Sequence, residues 1–483
     1  MLKINCHEDI INYCEENNIT IEMFNEPVEI DMSNVCFDDL DCLFSGCTLF
    51  NQPVTIPEGV TSCANMFYDC VSFNQPIIIP EGVINCEYMF NNCVSFNKPV
   101  VIPNSVVHTD NMFEGCIIFN QPIVLPKELL TADEMFLGCY NFNSPVSFEN
   151  IKYNIHCSML SLNSMFKDCY KFNQPVDIHY ADVCSNMFEN CYNLNSKITF
   201  SEYPKNTPKQ GELILERFLK DCYLFNQKIE FPESYIRRAN YLFENCYSFN
   251  QEVEFGYAIK DLSYAFCNCV NFNSKVTLPE YKRDIKTKGL FWKCINFNAP
   301  IITNCVPNLD VSGMFNGCKN LTTLTLNIEE LIEQYDINSI FRECVKLKID
   351  KPLDTFNRVN KYGINCKYEH YKYAFANTNI DIVCEIGNEL KTITELAKFF
   401  SFISKYTFDE FKEKVKVKIN DTDVTVSLKS FISTRFKNKD IYTYMYNDST
   451  DTITVLYNDE YTRRNPIPDN IIAKMLLDST LKY

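Results

Sequence analysis

The sequence predicts an α/β solenoid, in which short coils stack and their strands form a parallel ladder. One motif recurs thirteen times from Phe44 to Leu347: an aromatic residue or leucine, two residues, a cysteine, two residues and an apolar residue, usually followed by Asn. The first five copies begin 23 residues apart, at Phe44, Phe67, Phe90, Phe113 and Phe136. Such a period is typical of coils that cannot bury their own apolar face and become stable only by stacking.

The first 40 residues are predicted to form an N-terminal helical cap. The stretch from His7 to Asn17 has a helical pattern, and Phe24–Val28 (FNEPV) matches the second half of a repeat without its first half. A terminal unit of a repeat array is often atypical in this way, because one of its faces has no neighbour.

Residues 41–384 are predicted to form about 14 coils, each with a strand, a turn and a short helix or 3₁₀ segment. In Val54–Ile56 two apolar residues flank a threonine, as a strand with one buried face requires. Pro57–Val60 (PEGV) has the composition of a turn. The apolar residues that follow have three- and four-residue spacing, which is typical of a helical turn: Cys63, Met66, Phe67 and Cys70. Longer intervals predict insertions at Glu149–Met159, Ser201–Glu212 and Asn357–Lys367.

Residues 385–483 are predicted to form a small C-terminal α+β domain, because the repeats and the cysteines end at Cys384. The pattern predicts a helix over Glu389–Lys418, a strand over Val424–Leu428 and a β-hairpin of Tyr442–Tyr446 with Thr452–Tyr457. A final helix is expected from Pro468. This domain either covers the end of the solenoid or recruits a partner.

The charge distribution favours protein partners over nucleic acid. The formal net charge is −17, and since the last 99 residues contain equal numbers of basic and acidic residues, the excess lies in residues 1–384. Phosphate groups would be repelled by such a surface. The N-terminus lacks the features of a signal peptide, and no apolar run approaches the roughly 18 residues of a membrane span. With 25 cysteines in a long chain, we expect a reducing, cytoplasmic location or a particle assembled there.

The repeated cysteine could in principle bind a metal, but its spacing argues for packing. One cysteine per coil gives a straight row, whereas a zinc site needs four ligands that converge. A small, polarizable side chain also fits a buried corner between two segments of a coil. We therefore predict a structural ladder without metal or cofactor, represented by Cys47, Cys70, Cys93, Cys116 and Cys139.

The repeated asparagine is interpreted in the same way. Each Asn directly follows an apolar core residue where the chain turns into the strand, so its amide can satisfy peptide groups that the turn leaves unpaired. A role in recognising carbohydrate or nucleic acid is the alternative. The predicted ladder comprises Asn51, Asn74, Asn97, Asn120 and Asn143.

The outward residue in the middle of each strand is less constrained by packing, and there we place the candidate interface. These residues are Thr55, Ile78, Val101, Val124 and Ser147. An exposed aliphatic strip often marks a protein contact. Two alternatives are that neighbouring segments cover the strip, and that β-branched residues occur there for strand propensity.

Three segments resemble known repeat families. Ile56–Val60 (IPEGV) followed by Met66–Cys70 (MFYDC) resembles the BspA-like class of leucine-rich repeats, and Phe73–Ile77 (FNQPI) is similar to FNIP repeats. The resemblance implies a leucine-rich-repeat-like right-handed superhelix and a role in protein–protein interaction, with surface adhesion in some relatives. Such repeats are abundant in protists and in large DNA viruses, which suggests an origin of that kind.

Catalytic patterns are absent from the sequence: five histidines recur in no pairing, and no phosphate-binding glycine motif occurs. We therefore expect a non-enzymatic protein–protein interaction scaffold. The alternatives are a structural component of a virion or another large assembly, and a surface adhesin. The sequence leaves the partner and the oligomeric state open.

Overall fold

The computed structural model divides into two compact units, Met1–Tyr281 and Lys282–Tyr483. Its described coils form a parallel β-solenoid of about 12 turns with very little helix. The structure describes residues 2–31, 40–151, 160–201, 212–232, 236–256, 258–278, 285–302, 310–326 and 337–348, and beyond these the backbone of seven strands. The predicted insertions fall largely or wholly outside these ranges.

The N-terminal segment packs on the first coil. Strand β1 (Leu2–Ile4) pairs in parallel with β2 (Val28–Ile30). In the sequence, the two strands are connected by helix α1 (His7–Glu16) and a 3₁₀ turn (Ile21–Met23). The ring of Tyr13 meets Phe24 edge to face at 5.7 Å, and Phe24 stacks on Phe50 at 5.9 Å. Helix α1 therefore contacts the N-terminal end of the row of rings that forms the core.

Two rows of buried phenylalanines run through the first unit, as the repeat predicts. In one coil Phe67 and Phe73 stack at 4.2 Å, and Phe67 lies 5.6 Å from Phe90 of the next coil. Phe73 lies 5.9 Å from Phe96. These rings are fully buried. Stacked aromatic rings add to the free energy of burial, so this double row is the main source of cohesion between coils.

The predicted strand row is present in only part of the first unit. Its strands are β3 (Ile123–Val124), β4 (Val146–Ser147), β6 (Val176–Ile178), β8 (Ile198–Phe200), β11 (Val253–Glu254) and β12 (Val276–Thr277), and β3–β4, β6–β8 and β11–β12 pair in parallel. The earlier coils keep the alternating burial at Val54–Ile56, Ile77–Ile79 and Val100–Ile102. Among the described residues, no backbone hydrogen bond joins these three segments to a neighbouring coil.

A second parallel ladder, which the sequence did not predict, runs through nine coils of the first unit. It contains strands β5 (Leu160–Ser161), β7 (Ala181–Val183), β9 (Leu213–Ile214) and β10 (Ile236–Arg238) and a series of single bridges. Residues in register along it are Ser62, Asn85, His108, Thr131, Ser161, Val183, Ile214, Arg238 and Asp261. Each of these residues lies five positions before the first residue of the motif in its own coil, as Ser62 does before Phe67.

The α-helical alternative for this segment of each coil is wrong, because the segment forms consecutive turns whose amides bond three residues back, as the 3₁₀ alternative predicts. The amide of Met66 donates to Cys63, three residues back, and that of Cys70 donates to Phe67. Alternate amides donate to the next coil: Phe67 donates to Met89 and Asp69 to Asn91, both at 2.9 Å, whereas Tyr68 donates to Asn65 of its own coil. An α-helix would use these amides internally. The segment instead continues the ladder between coils.

The second unit contains three described coils and several strands. The rings of Phe291, Phe315 and Phe341 stack at 5.7 and 5.6 Å. Its strands are β13 (Ile301–Ile302), β14 (Leu353–Asp354), β15 (Ile382–Ile386), β16 (Glu389–Thr392), β17 (Val415–Ile419), β18 (Thr422–Val424), β19 (Thr443–Asn447) and β20 (Thr452–Tyr457). Strand β14 pairs with β15 and β15 with β16, while the other sheet has the order β18-β17-β20-β19.

The secondary structure predicted for residues 385–483 is partly present. The predicted hairpin corresponds to β19 and β20, which pair antiparallel. The helix predicted over Glu389–Lys418 is wrong at both ends, where β16 and β17 lie. The strand predicted over Val424–Leu428 overlaps β18 only at Val424. The helix predicted from Pro468 lies outside the described residues.

Candidate interaction surface

The motif cysteines form a row of buried thiols that donate hydrogen bonds between coils. The Sγ of Cys93 donates to the carbonyl oxygen of Phe67 at 3.0 Å. Ten further cysteines donate to the equivalent carbonyl of the preceding coil at 2.9 to 3.1 Å: Cys70, Cys116, Cys139, Cys169, Cys191, Cys222, Cys246, Cys269, Cys318 and Cys344. Cys47 is fully buried in the same row. Within the described ranges, no group of three or more His, Cys, Asp or Glu is arranged to hold a metal ion.

Burial makes these thiols unreactive, which gives a first prediction. Desolvation raises the pKa of Cys47 and Cys63 to about 12 and that of Cys93 well above its usual value. Burial and the neighbouring Asp41 also raise the pKa of Cys42, but its thiol is exposed. Because the thiolate is the nucleophile and must be reached by the reagent, we expect iodoacetamide at pH 8 to label Cys42 slowly in the folded chain and to leave Cys93 unlabelled. Peptide mass spectrometry distinguishes the sites, and labelling in urea is the control. Rapid labelling of Cys93 without denaturant would contradict this account.

The motif asparagines form a ladder of side-chain acceptors. The Oδ1 of Asn97 accepts a hydrogen bond from the backbone N–H of Asn120 at 2.9 Å and another from Nε2 of Gln121 at 3.1 Å. Asn51, Asn74, Asn120 and Asn143 accept from the equivalent backbone N–H of the next coil at 2.8 to 3.1 Å. The ladder extends to the N-terminal segment, where Asn25 accepts from Asn51. These amide oxygens are therefore used within the fold.

The second prediction separates the acceptor from the rest of the amide. Asn97→Ala removes two hydrogen bonds between coils, and we expect the free energy of unfolding to fall by about 1 to 2 kcal/mol. Asn97→Asp keeps an oxygen acceptor in the same place, so we expect a smaller loss. Urea denaturation of both variants tests the difference. If Asn97→Asp proves as destabilising as Asn97→Ala, the acceptor is not what matters at this position.

The outward strand residues form an exposed aliphatic strip in three consecutive coils. The side chains of Ile78, Val101 and Val124 are 84, 81 and 49% exposed. Thr55 is exposed and Ser147 is half-exposed. Val124 and Ser147 occupy equivalent positions in β3 and β4. The interface role of these five residues stays a prediction.

An acidic group lies on another face of the same coils. The carboxylates of Glu114, Glu134 and Glu87, together with desolvation as the largest cause, raise the pKa of Tyr88. Burial also raises the pKa of Asp110, which lies in the same group. The acidic residues of these coils thus produce a negative electrostatic potential around Tyr88. Such a potential favours a partner with basic residues.

Two residues per coil have a left-handed backbone conformation, and sequence reasoning missed both. They lie two positions before and two after the first motif residue, as with Asn65 and Asp69 around Phe67, whose φ angles are both +57°. The second position is Gly, Asn or Asp in eleven of the thirteen motif copies, with Lys293 and Glu343 as exceptions. These three residue types tolerate positive φ best. That preference was a readable signal for a turn instead of a helix.

A row of half-exposed tyrosines was also missed, although the sequence places each directly after a motif cysteine. We name this row the tyrosine ladder; it consists of Tyr140, Tyr170, Tyr192, Tyr223 and Tyr247. Successive rings stack at 4.8, 4.9, 4.9 and 5.0 Å, with interplanar angles of at most 14°. The earlier coils have Val71, Val94 and Ile117 at this position.

Stacked coils joined by parallel ladders, with a core of repeated aromatic residues, define a parallel β-solenoid. A family model described as "Mycoplasma protein of unknown function, DUF285" matches residues 16–124, 127–209, 177–281, 210–304 and 260–376. These matches cover more than two thirds of the 483 residues, so the chain belongs to this family.

Two solved structures are similar to this chain. One is a leucine-rich repeat protein from Bacteroides ovatus ATCC 8483, with 18% identity over 65% of this chain and 69% of that chain and a TM-score of 0.41. The other is a leucine rich cell surface protein from Faecalibacterium prausnitzii A2-165, with 17% identity over 55% of this chain and 82% of that chain and a TM-score of 0.27. No curated protein matches the chain. Among the described residues, no helix has the length and apolar character needed to cross a membrane.

Proposed function

We propose that this chain is a non-enzymatic scaffold that binds another protein through the aliphatic strip of Ile78, Val101 and Val124, bordered by Thr55 and Ser147. The observation that carries the proposal is the exposure of three aliphatic side chains at equivalent positions of three consecutive coils. Contiguous apolar surface on a protein often marks an interaction site.

The use of the repeated residues supports this assignment. The phenylalanines fill the core, the cysteines donate to carbonyls and the asparagines accept from backbone amides. These positions contribute to the stacking of coils, so their chemistry is already used within the fold. The strand positions between them point outward and vary from coil to coil. The acidic group around Tyr88, on another face of these coils, favours a partner that carries basic residues.

We further propose that the chain works in a reducing compartment. The hydrogen bond from Cys93 to Phe67 uses the proton of a reduced thiol, as do ten equivalent bonds along the row. Oxidation would remove these donors. Titration of free thiols in the unfolded protein, isolated without reductant, tests the proposal: nearly complete recovery is expected, and extensive oxidation would contradict it.

The test of the binding role is a triple substitution, Ile78→Asp, Val101→Asp and Val124→Asp, in the full chain. Proteins that co-purify from the native source with the wild type and the variant are quantified by mass spectrometry. We expect specific partners to be lost at least tenfold. The matched control places three aspartates at other exposed aliphatic residues, Leu49, Ile118 and Leu224, which are 51, 43 and 50% exposed.

Thermal unfolding of both variants verifies that the fold is retained. Equal retention of all partners by the strip variant and the control would reject the strip as the binding surface. Equal loss from both variants would show that the added charge, and not the position, is responsible.

A further inference from the structure

The tyrosine ladder presents ring edges and hydroxyl groups, not ring faces. Because successive rings stack at about 4.9 Å with nearly parallel planes, each inner ring covers the faces of its neighbours. Tyr140 and Tyr247, at the two ends, are 41 and 38% exposed. A sugar ring or a nucleobase binds to aromatic faces, so neither fits this surface. A row of phenol groups, each able to donate and to accept a hydrogen bond, fits another row with the same spacing.

A column of alternating carboxylates and amides borders the ladder. Its members are Asp168, Asn190, Asp221 and Asn245. Asn190 donates to Asp168 at 2.7 Å, and Asn245 donates to Asp221 at 2.6 Å. The backbone turns sharply after each member, since the amide of Tyr170 donates to the carbonyl of Asp168 and that of Tyr223 to Asp221. The column therefore lies directly beside the tyrosines.

A second column alternates in charge. It contains Lys167, Glu189, Lys220 and Glu244, each one residue before a member of the first column. Glu189 lies between the two lysines at 3.1 and 3.6 Å, and Lys220 lies 3.4 Å from Glu244. The side chains of Lys167, Lys220 and Glu244 are 33, 25 and 20% exposed, so another molecule can reach them. Glu189, in contrast, is nearly buried between the two lysines at 12%.

Both alternations have the same consequence for a second copy of this surface. A parallel alignment in register would place Lys against Lys and Asp against Asp. A two-fold axis between the coils of Glu189 and Lys220, perpendicular to the solenoid axis and lying in the interface, reverses the order of one copy. Lys167 then faces Glu244 of the partner subunit, and Asn190 faces Asp221 of the partner subunit. Each pair occurs twice, as in any isologous interface.

We propose that the tyrosine ladder and its two alternating columns form a self-complementary surface through which two copies of this chain associate in antiparallel orientation. The same axis brings Tyr192 opposite Tyr223 of the partner subunit, where the phenol groups can bond to each other. This surface is separate from the aliphatic strip, and the proposal does not depend on the proposed function.

The local charge permits this association although the whole chain is acidic. The net charge of −17 opposes self-association. In the four coils concerned, however, the second column contains two lysines and two glutamates, which cancel, and the first column adds only the two carboxylates of Asp168 and Asp221, each bonded to an amide. The acidic group around Tyr88 lies on earlier coils. Because the opposite charges lie at fixed positions along the column, they favour one relative orientation of the two copies.

Sedimentation velocity of the full chain over a wide concentration range tests the proposal. We expect the wild type to form dimers at micromolar concentration. Tyr192→Ser together with Tyr223→Ser should raise the dissociation constant at least tenfold. The matched control is Tyr68→Ser together with Tyr88→Ser, two tyrosines outside the ladder, which should leave the dimer unchanged.

A charge exchange tests the orientation. Lys220→Glu places two carboxylates opposite each other at both symmetric positions and should also weaken the dimer at least tenfold. Adding Glu189→Lys restores opposite charges across the axis, so the double variant should dimerise nearly as the wild type does. Within one copy the double variant places like charges next to each other, so a role inside the monomer alone predicts no such rescue.

Three results of these experiments would contradict the proposal. A wild type that remains monomeric at all concentrations overturns the proposal. So does a dimer that the tyrosine pair and Lys220→Glu both leave intact, because it would use another surface. A dimer that Lys220→Glu weakens but the double variant does not restore would reject the antiparallel orientation. Thermal unfolding of each variant confirms that association, not folding, has changed.

Discussion

Phe90→Ala is expected to lower the free energy of unfolding by about 3 to 5 kcal/mol, the largest effect of any single substitution considered for this chain. Phe90 is fully buried and its ring lies 4.4 Å from Phe96 in its own coil. It also stacks at 5.6 Å on both Phe67 and Phe113 of the neighbouring coils. Removing it leaves a cavity that rigid neighbours on both sides cannot fill. Urea denaturation followed by circular dichroism measures the change.

Ile78→Ala is the matched control, because it removes a side chain of similar apolar character that is 84% exposed. Its effect should stay within about 0.5 kcal/mol, as is usual for surface positions. A loss below about 1 kcal/mol for Phe90→Ala would show that the aromatic row does not hold the coils together.

Gly115→Val is expected to have the second largest effect, with a loss of about 1 to 3 kcal/mol. Gly115 has a φ of +69°, which a β-branched residue adopts only with strain. A Cβ atom at this position would also lie against Oδ1 of Asn92 in the preceding coil. Both effects act in the folded state, so the unfolding midpoint in urea should fall.

Two controls separate strain from crowding. Gly46→Ala tests strain alone, because Gly46 has a φ of +78° and no atom lies within 4 Å of its added Cβ. Gly115→Asn adds a larger side chain but should cost less than Gly115→Val, since asparagine tolerates positive φ. Asn268 bonds to Asn245 at 2.8 Å at the equivalent positions of two later coils. If Gly115→Asn proved the more destabilising, side-chain size and not backbone conformation would govern this position.

The repeat itself was predictable from the sequence, because its residues are selected by packing within each coil. The spacing of Phe67, Cys70 and Phe73 places all three in the core, where the structure buries them fully. The ring distances show that the aromatic residues of the motif stack from coil to coil. Alternating burial at Val54–Ile56 was predicted in the same way and is present.

The sequence left an α-helix and a 3₁₀ segment open because apolar spacing alone does not distinguish a helix from consecutive turns. Met66, Phe67 and Cys70 are buried in either conformation. What decides between the two is the left-handed backbone at Asn65 and Asp69, which interrupts the bonding of a helix and directs alternate amides to the next coil. The second ladder was missed for a related reason, since its residues, such as Ser62 and His108, show no apolar alternation.

For the candidate surfaces, too, the sequence predicted only part of what the structure contains. Ile78 and Val101 could be placed on an outward face because a strand has a two-residue period. The tyrosine ladder could not be placed in the same way, since Tyr170 and Tyr192 follow a turn whose geometry the sequence pattern did not reveal. Their alignment depends on the distance between coils, which is a property of the stacked structure.

Hydrogen exchange measured by mass spectrometry or NMR tests the central claim, that the backbone hydrogen bonds between the early coils lie in the turn segment and not in the strand segment. The amides of Phe67 and Asp69 donate to the next coil at 2.9 Å, whereas those of Ile77 and Ile79 have no backbone bond between coils in the described structure. We predict that the amides of Phe67 and Asp69 exchange much more slowly than those of Ile77 and Ile79. Equal or greater protection at Ile77 and Ile79 would contradict the claim.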